Sequence, residues 1–211
     1  MDADILERSW QRAWHGLGAS GGGVAVRDAL VAAYRSPDRA YHTPQHLREC
    51  IARFESCSDL AARPAEVEVA LWFHDAVHEV ERGDNERRSA DWACAALAAA
   101  GAGPEVAARV EALVMATAHL SAATPAAGDA GLVVDVDLAI LGAEPARFAE
   151  YQRQIRREYA HVGDADFHTR RNAVLAAFLA RAAIYRTPRL RAELEGRART
   201  NLARAIAGDL A

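Results

Sequence analysis

The segment that most constrains the fold is Leu71-Trp72-Phe73-His74-Asp75-Ala76-Val77-His78-Glu79, where polar side chains interrupt an apolar run of helical type. His74 and Asp75 are adjacent, so on a helix they diverge by about 100° and still leave the same turn. A neutral imidazole beside a carboxylate suits a divalent cation. A histidine on an apolar face is otherwise a hydrogen-bonded core residue, whose tautomer Asp75 would fix. The segment therefore predicts either half of a metal site or a buried polar pair.

The composition excludes several classes of protein. The chain has 211 residues, 51% of them hydrophobic, which is enough to bury a full core in one domain. Its net charge is −4 and every fixed cation is an arginine, so we expect no extended nucleic-acid surface and no membrane surface. Three cysteines form no CxxC pair, and no secretory signal opens the sequence, so the expected location is the cytoplasm.

Helical periodicity recurs along the whole chain, and prolines mark the predicted helix starts. These prolines are Pro44, Pro64, Pro104, Pro145 and Pro188. The segment 16–21 matches GxGxxG, but it follows a predicted helix rather than a strand, so it indicates a connection and not a dinucleotide site. The pattern as a whole predicts an all-helical chain.

Two histidines flank a predicted helix start. In Tyr41-His42-Thr43-Pro44-Gln45-His46, Thr43 is the expected N-cap and Pro44 the first helical residue. His46 then lies in the first turn, next to a core face formed by Leu47, Cys50, Ile51 and Phe54. Taken alone, His42 and His46 fit loop or capping residues, but beside a second His-Asp pair they fit ligands.

Two aspartates occupy alternate positions of a late apolar run. Asp135 and Asp137 lie within residues 132–142, after a predicted loop of small residues over 121–131. The alternation allows a short strand, with the aspartates facing solvent or capping a helix. Against that interpretation, a carboxylate in so apolar a run is costly unless it is paired or bound to a metal.

The order of these motifs resembles the HD-domain superfamily of metal-dependent phosphohydrolases, and more narrowly a small bacterial branch of predicted HD phosphohydrolases. The resemblance rests on Tyr41-His42-x-x-x-His46, Trp72-Phe73-His74-Asp75, Asp84-Asn85-Glu86-x-x-Ser89-Ala90, Asp135-x-Asp137-Leu138-x-Ile140-Leu141-Gly142 and Ile155-Arg156-x-Glu158-Tyr159. It covers roughly residue 39 to the C-terminus. It implies a single-domain, all-α, HD-type bundle with N-terminal helices over 1–38, a metal-site core over 39–142 and C-terminal helices over 143–211.

The resemblance implies one divalent metal ion bound by His46, His74, Asp75 and Asp137, with Asp135 as the rival for the last position. Two imidazoles and two carboxylates leave positions for water and admit Mn, Fe, Co, Ni, Zn or Mg. The implied reaction is attack of a metal-activated water on a phosphate monoester or diester. A small phosphorylated molecule, with a nucleotide as the candidate, is the expected substrate.

Further polar residues are candidates for proton transfer and for substrate contacts. Glu79 and Asp84 are the candidate acid and base, although Asp84 or Asn85 is also the expected N-cap of the next helix. The candidate substrate contacts are Arg39, His42, Asn85 and His119, with Arg39 as the nearest fixed cation for a phosphate. His119 is alternatively a ligand of a second metal. His78 stands where this branch often has tyrosine, which leaves the general base open.

Two other functions are consistent with the sequence. His74-Asp75-Ala76-Val77-His78 places two histidines at i and i+4, as in HExxH zinc metallopeptidases, with aspartate in the glutamate position. In that case His74 and His78 bind zinc and His46 is dispensable. The other alternative is a non-catalytic helical protein that binds a ligand or holds a structural metal, whose coordination would be saturated.

Overall fold

All regular structure in the computed structural model, which describes residues 2–118 and 127–209, is helical. The α-helices are α1 (Asp2–Gly16), α2 (Val24–Tyr34), α3 (Pro44–Glu55), α4 (Pro64–Phe73), α5 (Asn85–Ala99), α6 (Pro104–Met115), α7 (Gly128–Asp137), α8 (Pro145–Glu158), α9 (Asp164–Leu179) and α10 (Pro188–Ala207), with 3₁₀ helices at Ser58–Leu60 and Leu138–Gly142. The all-α prediction is confirmed. Within the described ranges, none of the helices has the length and apolar character needed to cross a membrane.

The predicted helix starts are confirmed. A proline is the first residue of five helices, α3, α4, α6, α8 and α10. The backbone N–H at the first position of a helix has no partner within the helix, so the absence of this N–H in proline costs no hydrogen bond. Thr43 caps α3, since its hydroxyl oxygen accepts a hydrogen bond from the backbone N–H of Gln45 at 3.3 Å. This cap sets the register that brings His46 into the first turn of α3.

The apolar run before residue 138 is a helix and not the strand that its alternation allows. α7 begins at Gly128, inside the segment predicted as a loop, and continues through Asp137. Its residues from Gly131 to Val136 are all buried. A short segment buried on every side carries no hydrophobic period that separates a helix from a strand.

Helix α4 ends at Phe73, so the helical type of run that the pattern of residues 71–79 indicates is wrong for the residues after His74. Side chains from other segments bind the backbone that follows: Arg39 donates to the carbonyl oxygens of Asp75 at 2.6 Å and Ala76 at 2.9 Å. The N–H of Val77 donates to Ser89 Oγ at 3.0 Å. Because these backbone groups have partners outside the helix, the chain can leave helical geometry after His74 without burying unsatisfied groups.

The chain divides into two compact units, residues 1–137 and 138–211. In the first unit α4 is central, since it packs against α1, α3, α5, α6 and α7 and buries every residue from Glu66 to Phe73. A helix buried on all sides is expected to be apolar all round, and most of α4 is. The prediction of one HD-like domain, with a boundary near residue 142, stays a prediction.

The second unit is built on α10, which packs against α9 and the 3₁₀ helix Leu138–Gly142. The Asn201 side-chain amide donates to the carbonyl oxygens of Leu141 and Ala143, both at 2.9 Å. A Cβ at Gly142 would lie 2.8 Å from the Cβ of Leu194, so the close approach requires glycine. The Leu138–Gly142 motif therefore has a packing role within this unit.

Candidate metal centre

The four predicted ligands converge inside the first unit. His46 Nε2 lies 3.0 Å from His74 Nε2, and 3.3 Å from both Asp75 Oδ2 and Asp137 Oδ1. His74 Nε2 lies 2.9 Å from the Asp75 oxygen and 3.5 Å from the Asp137 oxygen. The first turn of α3, the C-terminal end of α4 and the last residue of α7 thus bring two imidazole nitrogens and two carboxylate oxygens together. We call these four residues the primary cluster.

The tautomer of His74 follows from its hydrogen bond. His74 Nδ1 lies 2.8 Å from the carbonyl oxygen of Leu71, and since a carbonyl only accepts, Nδ1 carries the hydrogen and donates it. In the neutral ring Nε2 then presents a lone pair to His46 and Asp75. In a metal-binding histidine, the ring nitrogen that does not bind the metal commonly donates its N–H to a backbone carbonyl, which fixes the orientation of the ring. Lone pairs and carboxylate oxygens at these distances repel unless a cation or a proton lies between them.

The pKa values of the primary cluster also indicate that its atoms favour a bound proton or cation. Burial lowers the pKa of His46 and His74, but neighbouring groups, led by Cys50 for His46 and by Asp75 for His74, hold both pKa values well above the ordinary one. Burial raises the pKa of Asp75, but the charges of His74 and His42 outweigh it and hold that pKa well below its usual range. Protons therefore compete with a metal ion for the same atoms.

Of the two alternative aspartates, Asp137 is the one beside the imidazoles. Asp135 precedes it by two residues on α7, which turns its side chain by about 200° around the helix axis. Asp135 is fully buried, and it is not among the groups of potential metal ligands found in the described residues. The structure thus favours Asp137 over Asp135 for the last position.

Cys50 belongs to the same cluster and is absent from the predicted ligand set. Its buried Sγ lies 3.7 Å from both ring nitrogens of His46, and donor atoms of His46, Cys50, His74 and Asp137 all lie within 4.8 Å of one another. The sequence places Cys50 on a core face with Leu47 and Ile51. The signal that identifies it is its spacing, because residues at i and i+4 on a helix are neighbours.

The two candidate proton-transfer residues form surface ion pairs. Glu79 Oε1 lies 2.6 Å from Arg88 Nη1, and Asp84 accepts two hydrogen bonds of 2.7 Å from Arg82. The side chains of Glu79 and Asp84 are 52% and 46% exposed. The hydrogen bond from Arg82 holds the pKa of Asp84 below its ordinary value, which favours the carboxylate at neutral pH. Neither residue is among the groups of potential ligands in the described residues, and their catalytic role stays a prediction.

Two candidate substrate contacts hold backbone segments beside the site. The Arg39 guanidinium donates to the carbonyl oxygens of His42 at 3.2 Å and Asp75 at 2.6 Å. The Asn85 side chain accepts from the N–H of Glu79 at 3.1 Å and donates to its carbonyl at 2.9 Å. Arg39 and Asn85 are therefore positioning residues in this structure, and their contact with substrate stays a prediction. His119 lies outside the described residues.

The end of α4 separates the two histidines of the peptidase alternative. His74 caps the helix, whereas His78 lies in the irregular segment that follows, so the two do not share a helical face. The ring of His78 stacks on that of His42, with centroids 3.8 Å apart and an interplanar angle of 30°. The i, i+4 helical pair that an HExxH-type site requires is not formed here.

No family model, no curated protein and no solved structure matches this chain. The donor set and the sequence motifs are thus what bear on its chemistry. Buried imidazole nitrogens beside carboxylate oxygens fit a divalent first-row transition metal, whereas Mg²⁺ and Ca²⁺ are typically bound by oxygen atoms alone. The residues of the primary cluster could therefore hold a metal ion.

Proposed function

We propose that the protein is a metal-dependent phosphohydrolase that cleaves a phosphate monoester or diester, with a nucleotide as the candidate substrate. The observation that carries the proposal is the convergence of His46, His74, Asp75 and Asp137 from three segments of the first unit. The resemblance of the motif order to HD phosphohydrolases supports it.

The exposure of the four side chains is graded across the cluster. His46 and His74 are 2% and 1% exposed, whereas Asp75 and Asp137 are 20% and 15% exposed. The imidazoles thus form the floor of the site and the carboxylates line its open side. A structural metal site is closed, whereas a catalytic one keeps a position for water, so this gradient favours catalysis over a structural metal.

Each residue of the primary cluster has a distinct task under this proposal. His46 and His74 would bind the ion through Nε2, and the hydrogen bond from His74 to Leu71 fixes one ring in the binding orientation. When bound, a divalent ion supplies a Lewis acid that acidifies water and polarises a phosphoryl oxygen. Asp75 and Asp137, which are the more exposed members of the cluster, would neutralise part of the ion's charge.

The test combines metal analysis with a screen of phosphate esters under several divalent ions. Wild type is compared with Asp75→Asn, and Asp91→Asn is the matched control, because Asp91 is 64% exposed and pairs with Arg87 on the surface. We expect wild type and the control to bind metal and release phosphate, and Asp75→Asn to lose both. Metal retained by Asp75→Asn, with no ester cleaved by wild type, would contradict the proposal. Metal content unchanged in His46→Ala would show that His46 is not a ligand and would contradict the primary cluster as the metal site.

A further inference from the structure

The second unit contains a cavity of about 310 Å³, formed by residues of α8, α9 and the C-terminal end of α10. None of the lining residues is acidic, and three are arginines, Arg153, Arg156 and Arg171. Phe167 and Leu175 add apolar surface to its lining. A cavity of this size can hold a small molecule, and the positive charge of its lining favours an anion. We call it the basic cavity.

Two side chains of the basic cavity have buried donors without an acceptor. Arg171 Nε donates to Gln152 Oε1 at 3.1 Å, and since a guanidinium only donates, this bond fixes which amide atom is the oxygen. Gln152 Nε2 and Arg171 Nη2 are both buried and have no hydrogen-bond partner among the described residues. An unsatisfied buried donor destabilises the protein, more so when it is charged. Both groups require an acceptor, so a ligand with lone pairs would relieve this cost whereas a cation would not.

Arg156 has a structural role beside the cavity. Its guanidinium donates to the carbonyl oxygens of Tyr159 at 2.6 Å and Val162 at 3.0 Å, and it pairs with Asp164 at 2.7 Å. These bonds hold the turn between α8 and α9. Because a carboxylate already balances its charge, we do not assign Arg156 to ligand binding.

The other two arginines supply the positive charge of the cavity. The Cζ atom of Arg171 lies 5.0 Å from the ring centroid of Tyr151, so a cation–π contact holds the guanidinium in place without neutralising it. Arg153 is exposed, so its longer reach lets it contact a ligand from the solvent side. A fixed guanidinium binds a ligand with a smaller ordering cost than a free one.

We propose that the basic cavity binds a small phosphorylated molecule through its phosphate group. A guanidinium fork matches the geometry of phosphate oxygens, and a phosphate group has three acceptor oxygens for Arg153, Arg171 and Gln152. A carboxylate has only two. The apolar lining would contact the body of the ligand. The site goes beyond the proposed hydrolysis and does not depend on it, because none of the residues that line the cavity belongs to the primary cluster.

The test is a titration of the metal-free, full-length protein with inorganic phosphate, followed by phosphorus NMR. Metal is removed so that no ion in the primary cluster binds the phosphate. Wild type is compared with Arg171→Gln and with Gln152→Glu, which supplies an acceptor to Arg171 and places a negative charge in the cavity. The matched control is Arg170→Gln, which makes the same change in net charge at an exposed residue of α9 outside the cavity.

We expect wild type and the control to bind phosphate equally, and both cavity variants to bind it at least about tenfold more weakly, as for the loss of a charge-assisted hydrogen bond. Thermal unfolding checks the fold, and we expect Gln152→Glu to be at least as stable as wild type, because its carboxylate can pair with Arg171.

The outcomes separate the site from its ligand and from the proposed hydrolysis. No phosphate bound by wild type, or equal binding by wild type and Gln152→Glu, would overturn the site. An affinity for acetate equal to that for phosphate would overturn the choice of a phosphate ligand. Phosphate binding that the cavity variants weaken, in a protein that cleaves no phosphate ester, would support the cavity and overturn only the hydrolase assignment.

Discussion

Helix α4 buries charge in two different ways along its length. In its first half, Glu68 accepts a hydrogen bond of 2.7 Å from Ser9 and pairs with Arg12, and Glu66 receives two hydrogen bonds, of 2.6 Å and 2.8 Å, from Arg109. At its C-terminal end, His74 faces His46 and two carboxylates in the primary cluster. The same helix thus carries both complete ion pairs and a set of competing acceptors.

The difference shows why burial of charge does not by itself indicate a site. The glutamates of α4 are compensated by arginines of the same chain, so these ion pairs can serve stability alone. In the primary cluster the lone pair of His74 Nε2 faces carboxylate oxygens, and only a cation or a proton can relieve the repulsion. A buried group of mutually repelling acceptors therefore indicates a cation site better than a buried ion pair does.

Removing one carboxylate of the primary cluster should have the largest effect. Structural zinc sites with four ligands bind with about 10–16 kcal/mol, or roughly 2.5–4 kcal/mol per ligand, so we expect Asp137→Asn to weaken metal binding about 70- to 900-fold. Isothermal titration with Mn²⁺ measures this. Asp166→Asn, on the exposed face of α9, should leave the affinity unchanged. Equal affinities in the two variants would remove the distinction between the primary cluster and the ion pairs of α4.

Breaking an ion pair of α4 should affect stability instead of metal binding. Arg12→Ala removes the ion pair of the buried Glu68, which keeps its hydrogen bond from Ser9. Because Arg12 is 49% exposed, we expect the free energy of unfolding to fall by about 2 kcal/mol. Urea unfolding of the metal-free protein measures it. Arg170→Ala, at an exposed position of α9, should change stability by less than about 0.5 kcal/mol. A weaker metal affinity in Arg12→Ala would show that the two regions are coupled.

Metal affinity should fall as the pH falls. The pKa values of His46 and His74 are raised well above the ordinary value, so the metal-free cluster binds protons that a metal ion must displace. Affinity is therefore highest above the raised pKa values and decreases below them, by up to about tenfold per pH unit for each proton displaced. Mn²⁺ titrations between pH 8.5 and pH 6 measure the slope. An affinity independent of pH in this range would contradict the raised pKa values.

The role of Arg39 separates a positioning residue from a substrate contact. Because its guanidinium holds the backbone of His42 and Asp75, we expect Arg39→Ala to weaken metal binding about tenfold, as for other residues that orient metal ligands. Metal titration and steady-state kinetics on the same preparation distinguish the two roles. A raised KM with unchanged metal affinity would instead support the sequence prediction of a phosphate contact.

The exposed carboxylates should give the smallest effects. Glu79 and Asp84 pair with arginines on the surface, so we expect Glu79→Gln and Asp84→Asn to leave both the stability and the metal content close to those of wild type. We expect rates of ester hydrolysis within about threefold of wild type, well below the usual contribution of an acid or base. A hundredfold loss in either variant would support its predicted role in proton transfer.

Local sequence signals predict the proline-marked helix starts and the His74-Asp75 pair as half of a metal site, whereas the full set of four ligands is what the resemblance implies. Thr43-Pro44 marks the start of α3 because capping and the proline ring act within a few residues, and that start determines where His46 lies. The residue types of His74, Asp75 and Asp137 indicate a metal site because only a few kinds of side chain bind metals. These features depend on chemistry that is present in the segment itself.

The features that the sequence did not predict depend on contacts between distant segments. The end of α4 at Phe73 is set by Arg39 and Ser89, which bind its continuing backbone from other elements. The direction of the Glu79 side chain depends on Arg88 in α5, and no periodicity of residues 71–79 contains that information. The types of the residues thus indicate which side chains can bind a metal or transfer a proton, whereas contacts between distant segments determine which of these side chains lie together.

The most direct test of the central claim is the anomalous difference map of a crystal grown with Mn²⁺. The account predicts a peak between His46, His74, Asp75 and Asp137, with the metal about 2.0–2.2 Å from its nitrogen and oxygen ligands. A map in which Mn²⁺ binds elsewhere, with His46 and His74 still in direct contact, would contradict it.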